Sequence, residues 1–488
     1  MKVVIANSIG IDKNGHYIIH SPSRWSEGVK EKSHWFAYYP WELAYLSSLL
    51  KRETNHEVKL IDGCLMKLNK KDYSALIKNL NPDILIIESA TRMIDENLEL
   101  ALEIKKSCLS RVIFVGQHAS AFPQQLIDQG VDNVCIGEYE FTVLELIQNS
   151  DQAQILGLYP NKRRDLLEIN SLPWPEDDDV SRIDYACPGE PSSEFKEIQM
   201  YASRGCPGSC NFCVARHVYY NCSNWRKRNI DDIVKEIAYL KEKYPQMEGV
   251  FFDEEVHNGN REFILELSKG IIAAGLNNLH YEAMCDVRFL DEQVLRAMKN
   301  AGYYKIRIGI ETASEKVMQA INKPMDLNHI QNILLTAKKI CLTTYGTFTF
   351  GAFGSDYSED IKTIRFMETL IKQDLLDGLQ LSICTPQPGT PFYQTAKENN
   401  LLRAQSDFSD YDGGNFAMVS YPNYNHKQIE NIKQQALLVR DHLYLMKKIR
   451  EHNLLKWTLA ILRRYGLWGF IRKAFRRFLL EIKFLNLK

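Results

Sequence analysis

Three cysteines, Cys206, Cys210 and Cys213, fall in a CxxxCxxC spacing inside the run RGCPGSCNFC, so one short loop carries three thiolates. A 4Fe-4S cubane has four irons and is normally held by four thiolates. Three ligands therefore leave one iron free to bind a small molecule. The competing reading is a structural zinc, with Cys222 or His217 completing a tetrahedral set. Zinc motifs usually pair two CxxC-like knuckles, and no second knuckle is present.

The loop follows the first of six strand-like runs: IQMYASRG from Ile198, GVFFDEE from Gly249, HYEAMCDV from His280, KIRIGIET from Lys305, TYGTFTFG from Thr344 and GLQLSICTP from Gly378. Helical patterns separate them, which predicts a partial (β/α)6 form of the parallel barrel. Active sites of such barrels sit at the carboxyl ends of the strands, where the cysteine loop falls.

Upstream, the runs at Val3, His56, Asp83, Arg111 and Asn133 are short, continuous and β-branched, as strands buried on both faces must be. Alternating with helices, they predict a doubly wound parallel sheet, Rossmann-like in class. Ligands of such sheets bind beyond the strand carboxyl ends. Asp62, Gly63, Ser89, Thr91, Gly116, Gln117, His118, Gly137 and Glu138 occupy those positions. Small and hydroxylated residues there suit a large polar cofactor; the alternative is ordinary turn chemistry. No GxGxxG follows the first strand and no GxxxxGK[ST] occurs, so neither a dinucleotide nor a P-loop reading is supported. The lone histidines His34 and His118 read as structural.

The expected division is a first domain over 1–150, a linker over 151–195, the barrel over 196–397 and a helical region over 398–488. The run PEDDD within the linker is expected to be a solvated face. Composition is globular throughout, with 45% hydrophobic and 25% charged residues in 488. A net charge of −1 gives no argument for nucleic acid. Eleven cysteines, no signal peptide at Met1 and no apolar run near ~18 residues predict a reducing, cytoplasmic setting.

From Lys447 onward twelve Lys and Arg face only Glu451 and Glu481, and Ile471, Phe475, Phe478, Ile482 and Leu485 share one helical face. Such a basic amphipathic helix suits peripheral contact with an anionic membrane, and equally suits covering a domain interface.

RGCPGSCNFC, with Phe212 before its last cysteine, resembles the cluster loop of the radical S-adenosylmethionine enzymes. That resemblance implies a 4Fe-4S cluster whose open iron is chelated by S-adenosylmethionine, cleaved on reduction to a 5′-deoxyadenosyl radical. FFDEE resembles the family's second-strand acidic motif, which carries Asp253 and Glu254 over as residues near the methionyl amino group. GIET resembles the fourth-strand motif and implies a cofactor-side Glu311. CTPQPGTPFY resembles the sixth-strand motif, with Pro388, Gly389 and Thr390 at the strand end.

The first domain, through PWELAYLSSLLK, HEVKLIDG, NPDILIIESAT, VIFVGQHAS and DNVCIGEYE, resembles the cobalamin-binding domain of cobalamin-dependent members of this group. Gln117 stands where that family usually has the second of two glycines, and no DxHxxG supplies a lower ligand to cobalt.

The resemblance implies methylation of an unactivated carbon in a small molecule such as a natural product, with a flavodoxin or ferredoxin as reductant, and the basic amphipathic tail points to a lipid-like substrate such as an isoprenoid or a lipid-linked saccharide. A ring-closing or carbon-coupling enzyme is the alternative within the group. A zinc-stabilised cobalamin sensor or scaffold without catalysis is the alternative outside it. A methylthio-transferring enzyme fits less well, since Cys64, Cys108 and Cys135 are scattered and no basic RNA module is present.

Overall fold

Along Val3–Ala6 alternate side chains enter different cores: Val3 and Ile5 join one apolar cluster, Val4 and Ala6 another. The same split recurs at Ile84 and Ile86 against Leu85 and Ile87, so these strands are buried on both faces. This is the physical signature of a sheet with helices on both sides. In the computed structural model the strands run parallel in the order Glu57–Ile61, Lys2–Ala6, Ile84–Glu88, Arg111–Val115 and Asn133–Val134. The order reverses between Lys2–Ala6 and Ile84–Glu88, which places the ligand crevice of such a sheet beyond Ala6 and Glu88.

The structure describes residues 1–20, 26–29, 36–149, 151–187, 193–404, 407–412, 414–450 and four positions beyond (458, 459, 462 and 469). His34 and the amphipathic pattern from Ile471 to Leu485 lie outside the described residues.

Six further strands form the second sheet in sequence order, all parallel: Glu197–Met200, Gly249–Phe252, His280–Cys285, Tyr303–Glu311, Thr343–Phe350 and Gly378–Ile383. The first and last of them are not paired, so the barrel is open. One face of the first sheet and the layer between the barrel strands and their surrounding helices share a continuous apolar core.

Several features depart from expectation. The fifth strand of the first sheet is only two residues long, because Cys135 turns away to bridge Leu158. Helices Gly116–Ala121 and Glu140–Gln148 were not anticipated, nor was the hairpin of Tyr17–His20 with Ser26–Val29.

The acidic run of the linker is not a solvated face. Glu176 accepts from Ser47 Oγ at 2.8 Å and pairs with Lys51 at 2.5 Å. Asp177 accepts from Tyr244 OH at 2.7 Å, Asp179 pairs with Lys59 at 2.6 Å, and Asp178 alone of the four stays exposed. The linker is thus clamped to both sheets. Arg182, 2% exposed, reaches from it to Glu236 at 2.5 Å and to the Gln199 carbonyl at 3.1 Å.

Downstream, the backbone N–H of Ile383 donates to the Gly414 carbonyl at 2.8 Å, and helix His426–Arg450 packs on Tyr357–Lys372 and on the last barrel strand. No helix among the described residues is long and apolar enough to cross a membrane.

Candidate active site

After the first barrel strand, Ser203–Arg204 pairs antiparallel with Arg226–Lys227, a two-residue ribbon that founds the cysteine loop. Gly205 follows with φ +94°, and a Cβ there would lie 2.1 Å from Asn224 Oδ1, so only glycine fits. Its N–H donates to Glu255 Oε2 at 3.1 Å. The N–H of Gly208 donates to Cys206 Sγ at 3.2 Å, and that of Cys213 to the Cys210 carbonyl at 3.2 Å.

All three cysteines and Phe212 line one cavity of about 270 Å³ at the carboxyl ends of the barrel strands. Burial pushes the Cys206 thiol up to about 11 and the Cys213 thiol to about 12. Burial raises Cys210 as well, against the pull of the Lys323 and Arg288 cations. Thiols so reluctant to ionise become thiolates when a metal supplies the compensating charge.

A zinc set does not assemble. His217 Nε2 is engaged with the Cys210 carbonyl at 3.1 Å, and Cys222 is not among the residues lining the cavity. Among the described residues no three His, Cys, Asp or Glu converge on a single-ion site. In a cubane each thiolate binds a different iron, so its ligands stand further apart than those of one zinc. Three thiols from one loop at the cavity fit a cluster with an open position; Cys285 and Cys384 also line the cavity but come from the third barrel strand and from just after the sixth.

The charged residues of the cavity are Glu255, Asp286, Arg288, Glu311 and Lys323. Lys323 Nζ donates to Glu311 Oε1 at 2.9 Å and to the Gly309 carbonyl at 2.8 Å. Glu311 is held at φ +61°, where the register between its strand and the next shifts. Such irregularities re-aim a side chain at the expense of local backbone strain. Arg288 grips Asp286 with a 2.6 Å contact at the end of the third strand.

Of the second-strand acids it is Glu255 that lines the cavity, where the expectation named Asp253 and Glu254. Both of those are buried and outside its lining. Glu254 accepts from the Ala202 N–H at 3.1 Å and from Ser203 Oγ at 3.2 Å, and meets His257 Nδ1 at 2.6 Å, a brace behind the cysteine loop.

Residues 200–367 match the Radical SAM superfamily. Over 437 residues the chain is 30% identical to an uncharacterised methyltransferase of Pyrococcus horikoshii, covering 85% of this chain and 90% of that one. The chain belongs to the radical SAM superfamily. It is 21% identical over 413 residues to the hopanoid C-3 methylase of Methylococcus capsulatus, covering 80% of this chain and 75% of that one. The radical S-adenosylmethionine methyltransferase TsrM of Kitasatospora setae superposes with a TM-score of 0.66 at 15% identity, covering 91% and 89% of the two chains. The cobalamin-dependent S-adenosylmethionine radical enzyme OxsB gives 0.67 at 15%, covering 98% and 75%. These two likenesses carry the fold: a Rossmann-like sheet ahead of a radical SAM barrel.

In this radical SAM protein the strand ends of the first sheet meet the barrel mouth directly. Gln117 Nε2 donates to Gln387 Oε1 at 3.2 Å, and Gln387 lines the cavity. Gly389, at φ +82°, is a point of close approach: its Cβ would lie 2.8 Å from Val218 and 3.2 Å from Ala121. Gly116, at φ +90°, abuts Glu88, and Gly137, at φ +76°, abuts Arg163 and the Tyr219 carbonyl.

Asp62 is occupied by Asn7, Tyr185 OH and the N–H groups of Cys64 and Leu65, all within 3.0 Å, while Gly63 makes room for Tyr73. Ser89 Oγ donates to the Ala90 carbonyl at 3.2 Å, and Thr91 Oγ1 meets His118 Nδ1 at 3.3 Å. Burial pushes His118 down to about 3, so its imidazole is neutral, and its buried Nε2 has no hydrogen-bond partner among the described residues.

Glu138 is an ion-pair residue at this seam. It takes Arg226 at 2.8 and 2.9 Å and Arg204 at 3.4 Å, while Glu140 takes Arg204 at 2.6 Å. Glu42 and Glu88 lie in the same seam, and burial raises both, Glu42 to about 8. The folded protein therefore keeps the Glu42 proton up to about pH 8, whereas the unfolded chain releases it near the usual 4.5. Folding binds a proton throughout that window, so stability falls as pH rises from about 4.5 to about 8. Thermal unfolding followed by circular dichroism should show Glu42→Gln losing part of this decline and exceeding the parent in Tm at pH 8.

Sequence reasoning passed over Glu255, Asp286, Arg288, Lys323 and Gln387. Asp286 stands just past the third barrel strand, where the strand-end rule finds it. Lys323 follows a helix and carries no such signal.

Proposed function

We propose that this radical SAM protein methylates an unactivated carbon of a small molecule, with cobalamin seated between the first sheet's strand ends and the barrel mouth. The observation that carries the reading is the pairing of a cavity holding the three-cysteine loop with a cofactor-type crevice, joined through Gln387 and Gln117. The orphaned Nε2 of His118 and the glycine-walled turns at Gly116 and Gly137 fit a large polar ligand at those strand ends.

Cys206, Cys210 and Cys213 would hold the cluster. Glu255 would take the methionyl ammonium of S-adenosylmethionine, and Arg288 with Lys323 its carboxylate; Glu311 fixes Lys323 for that task. When bound, these groups supply a 5′-deoxyadenosyl radical and a transferable methyl. The protein's part is to hold them at one cavity, orient the substrate and exclude water.

The reaction requires a low-potential electron donor, which we assign to a flavodoxin or ferredoxin. We place the protein in the cytoplasm, with 1–150 as the cobalamin unit, 151–195 as linker, 196–397 as barrel and 398–488 as a helical region. Exposed Met446, Ile449 and Leu459 lead toward the basic sequence that follows, which supports peripheral contact with an anionic membrane and a lipid-like substrate. The similarity to a hopanoid methylase agrees with this.

Reconstituted protein is incubated with methyl-labelled S-adenosylmethionine, a reductant, cobalamin and fractionated small-molecule extract of its source cells. Label should enter a product only when cobalamin is present. Unlabelled product accompanied by 5′-deoxyadenosine would replace methylation with ring closure or coupling.

A further inference from the structure

Between the first sheet and the cysteine loop lies a layer of buried ionisable groups that the proposed reaction does not use. From the first sheet and its helices come Glu42, Glu88, Glu138, Tyr139 and Glu140; from the barrel side come Arg204, Tyr219, Tyr220 and the half-buried Arg226. Arg204 is the last residue before the Gly205–Cys206 turn. Its side chain is 3% exposed, bonds Glu140 at 2.6 Å and lies over the Tyr45 ring, 4.8 Å from the centroid. Glu140 is fully buried, and the short contact is that of a charge-assisted hydrogen bond. Arg226, on the other ribbon strand, closes on both oxygens of Glu138.

The ledger of charge at this seam is two guanidinium groups against two carboxylates. Glu42 and Glu88 have no ion-pair partner of their own in it. Tyr139 OH donates to Glu88 at 3.3 Å, and neither oxygen of Glu42 has a hydrogen-bond partner among the described residues. Burial raises both, Glu42 to about 8, which favours their neutral forms; it raises Glu140 as well, against the pull of Arg204. In so dry a layer an uncompensated charge acts over a distance at which water would have screened it. Iron-sulfur potentials follow net charge and hydrogen bonding around the cluster.

We propose that Glu140, with Glu138 beside it, sets the reduction potential of the cluster on the cysteine loop: the first domain supplies the anions that neutralise the loop's own Arg204 and Arg226. Glu140 is a positioning residue that acts through Arg204 and touches neither cluster nor substrate. Removing its charge leaves the buried Arg204 guanidinium with only its longer 3.4 Å contact to Glu138, a net positive charge beside the loop that favours the added electron. Keeping the charge while altering the shape leaves the potential in place.

The inference rests on the loop holding a cluster and is independent of methyl transfer. The test is a redox titration of the reconstituted full chain, without S-adenosylmethionine, followed by the reduced-cluster signal in electron paramagnetic resonance. Iron and sulfide contents are measured in parallel. Glu140→Gln should favour the reduced state about tenfold, a positive shift of about 59 mV for one electron. Glu140→Asp should stay near the parent.

Glu138→Gln, whose main partner is Arg226, should shift in the same direction by less, and serves if Glu140→Gln fails to load iron. An unchanged potential or a negative shift in the Gln variants overturns the proposal. So does an equal shift in Glu140→Asp, since packing alone would then account for it. Absence of any cluster signal in the parent would instead remove the reading of the cysteine loop.

Discussion

Replacing Cys206, Cys210 or Cys213 by Ala removes the iron-sulfur absorption of the reconstituted protein and takes 5′-deoxyadenosine formation below detection. The loss exceeds the about 10–100-fold typical of residues that only support metal ligands, because each thiolate is one of the three that the loop supplies, while Cys285 and Cys384, which also line the cavity, stand on the third barrel strand and after the sixth. Cys222→Ala and His217→Ala should keep the cluster. Cys222 stands away from the cavity, and His217 is turned to the Cys210 carbonyl. Iron content and visible absorption after anaerobic reconstitution check both halves. A cluster that survives Cys206→Ala, or one lost with Cys222→Ala, would show the ligand set to be different.

The largest loss of stability is expected at Glu236. Its fully buried carboxylate meets Arg182 of the linker at 2.5 Å and Arg228 of the barrel at 2.5 Å. Glu236→Ala leaves two guanidinium groups in a space closed to water. Breaking a buried pair from one side typically costs about 3–5 kcal/mol. Denaturant unfolding should show that loss, together with earlier proteolysis of the linker near Arg182. Arg182→Met combined with Glu236→Met should recover part of it, because hydrophobic side chains of similar size replace buried ion pairs at little cost. A Glu236→Ala protein as stable as its parent would mean that the linker clamp contributes nothing.

Most of the scaffold was legible because its strands are continuous apolar runs closed by helices with clear periodicity. Ile230–Lys243 appears with the bounds the sequence predicts, its Ile233, Ile237 and Leu240 facing inward. The cysteine loop was legible for a different reason: its chemistry depends on spacing within eight residues and needs no tertiary information. The acidic motif lies at the boundary between these two kinds of signal. Alternation names the inward residues up to Phe252, but the strand ends there, and the turn beyond it decides which of Asp253, Glu254 and Glu255 meets the cavity.

Glu138 poses a similar ambiguity. A polar residue at a strand end looks the same in sequence whether it awaits a ligand or an arginine from another sheet, and here Arg226 and Arg204 come from a ribbon some 60 to 90 residues away. The linker acids were misread because an acidic run is solvated only when no basic neighbour folds over it, and Lys51 and Lys59 do so.

The contact at Gly389 bears on how such proteins can be recombined. A turn of the barrel, a helix end of the first sheet and the segment behind the cysteine loop converge where a single hydrogen atom is all the space allows. Two modules in such intimate register are not interchangeable parts. A chimera that joins this first domain to a foreign barrel must import Ala121, Val218 and Gly389 as one matched set, or the halves will stand apart at the place where their cofactors have to meet.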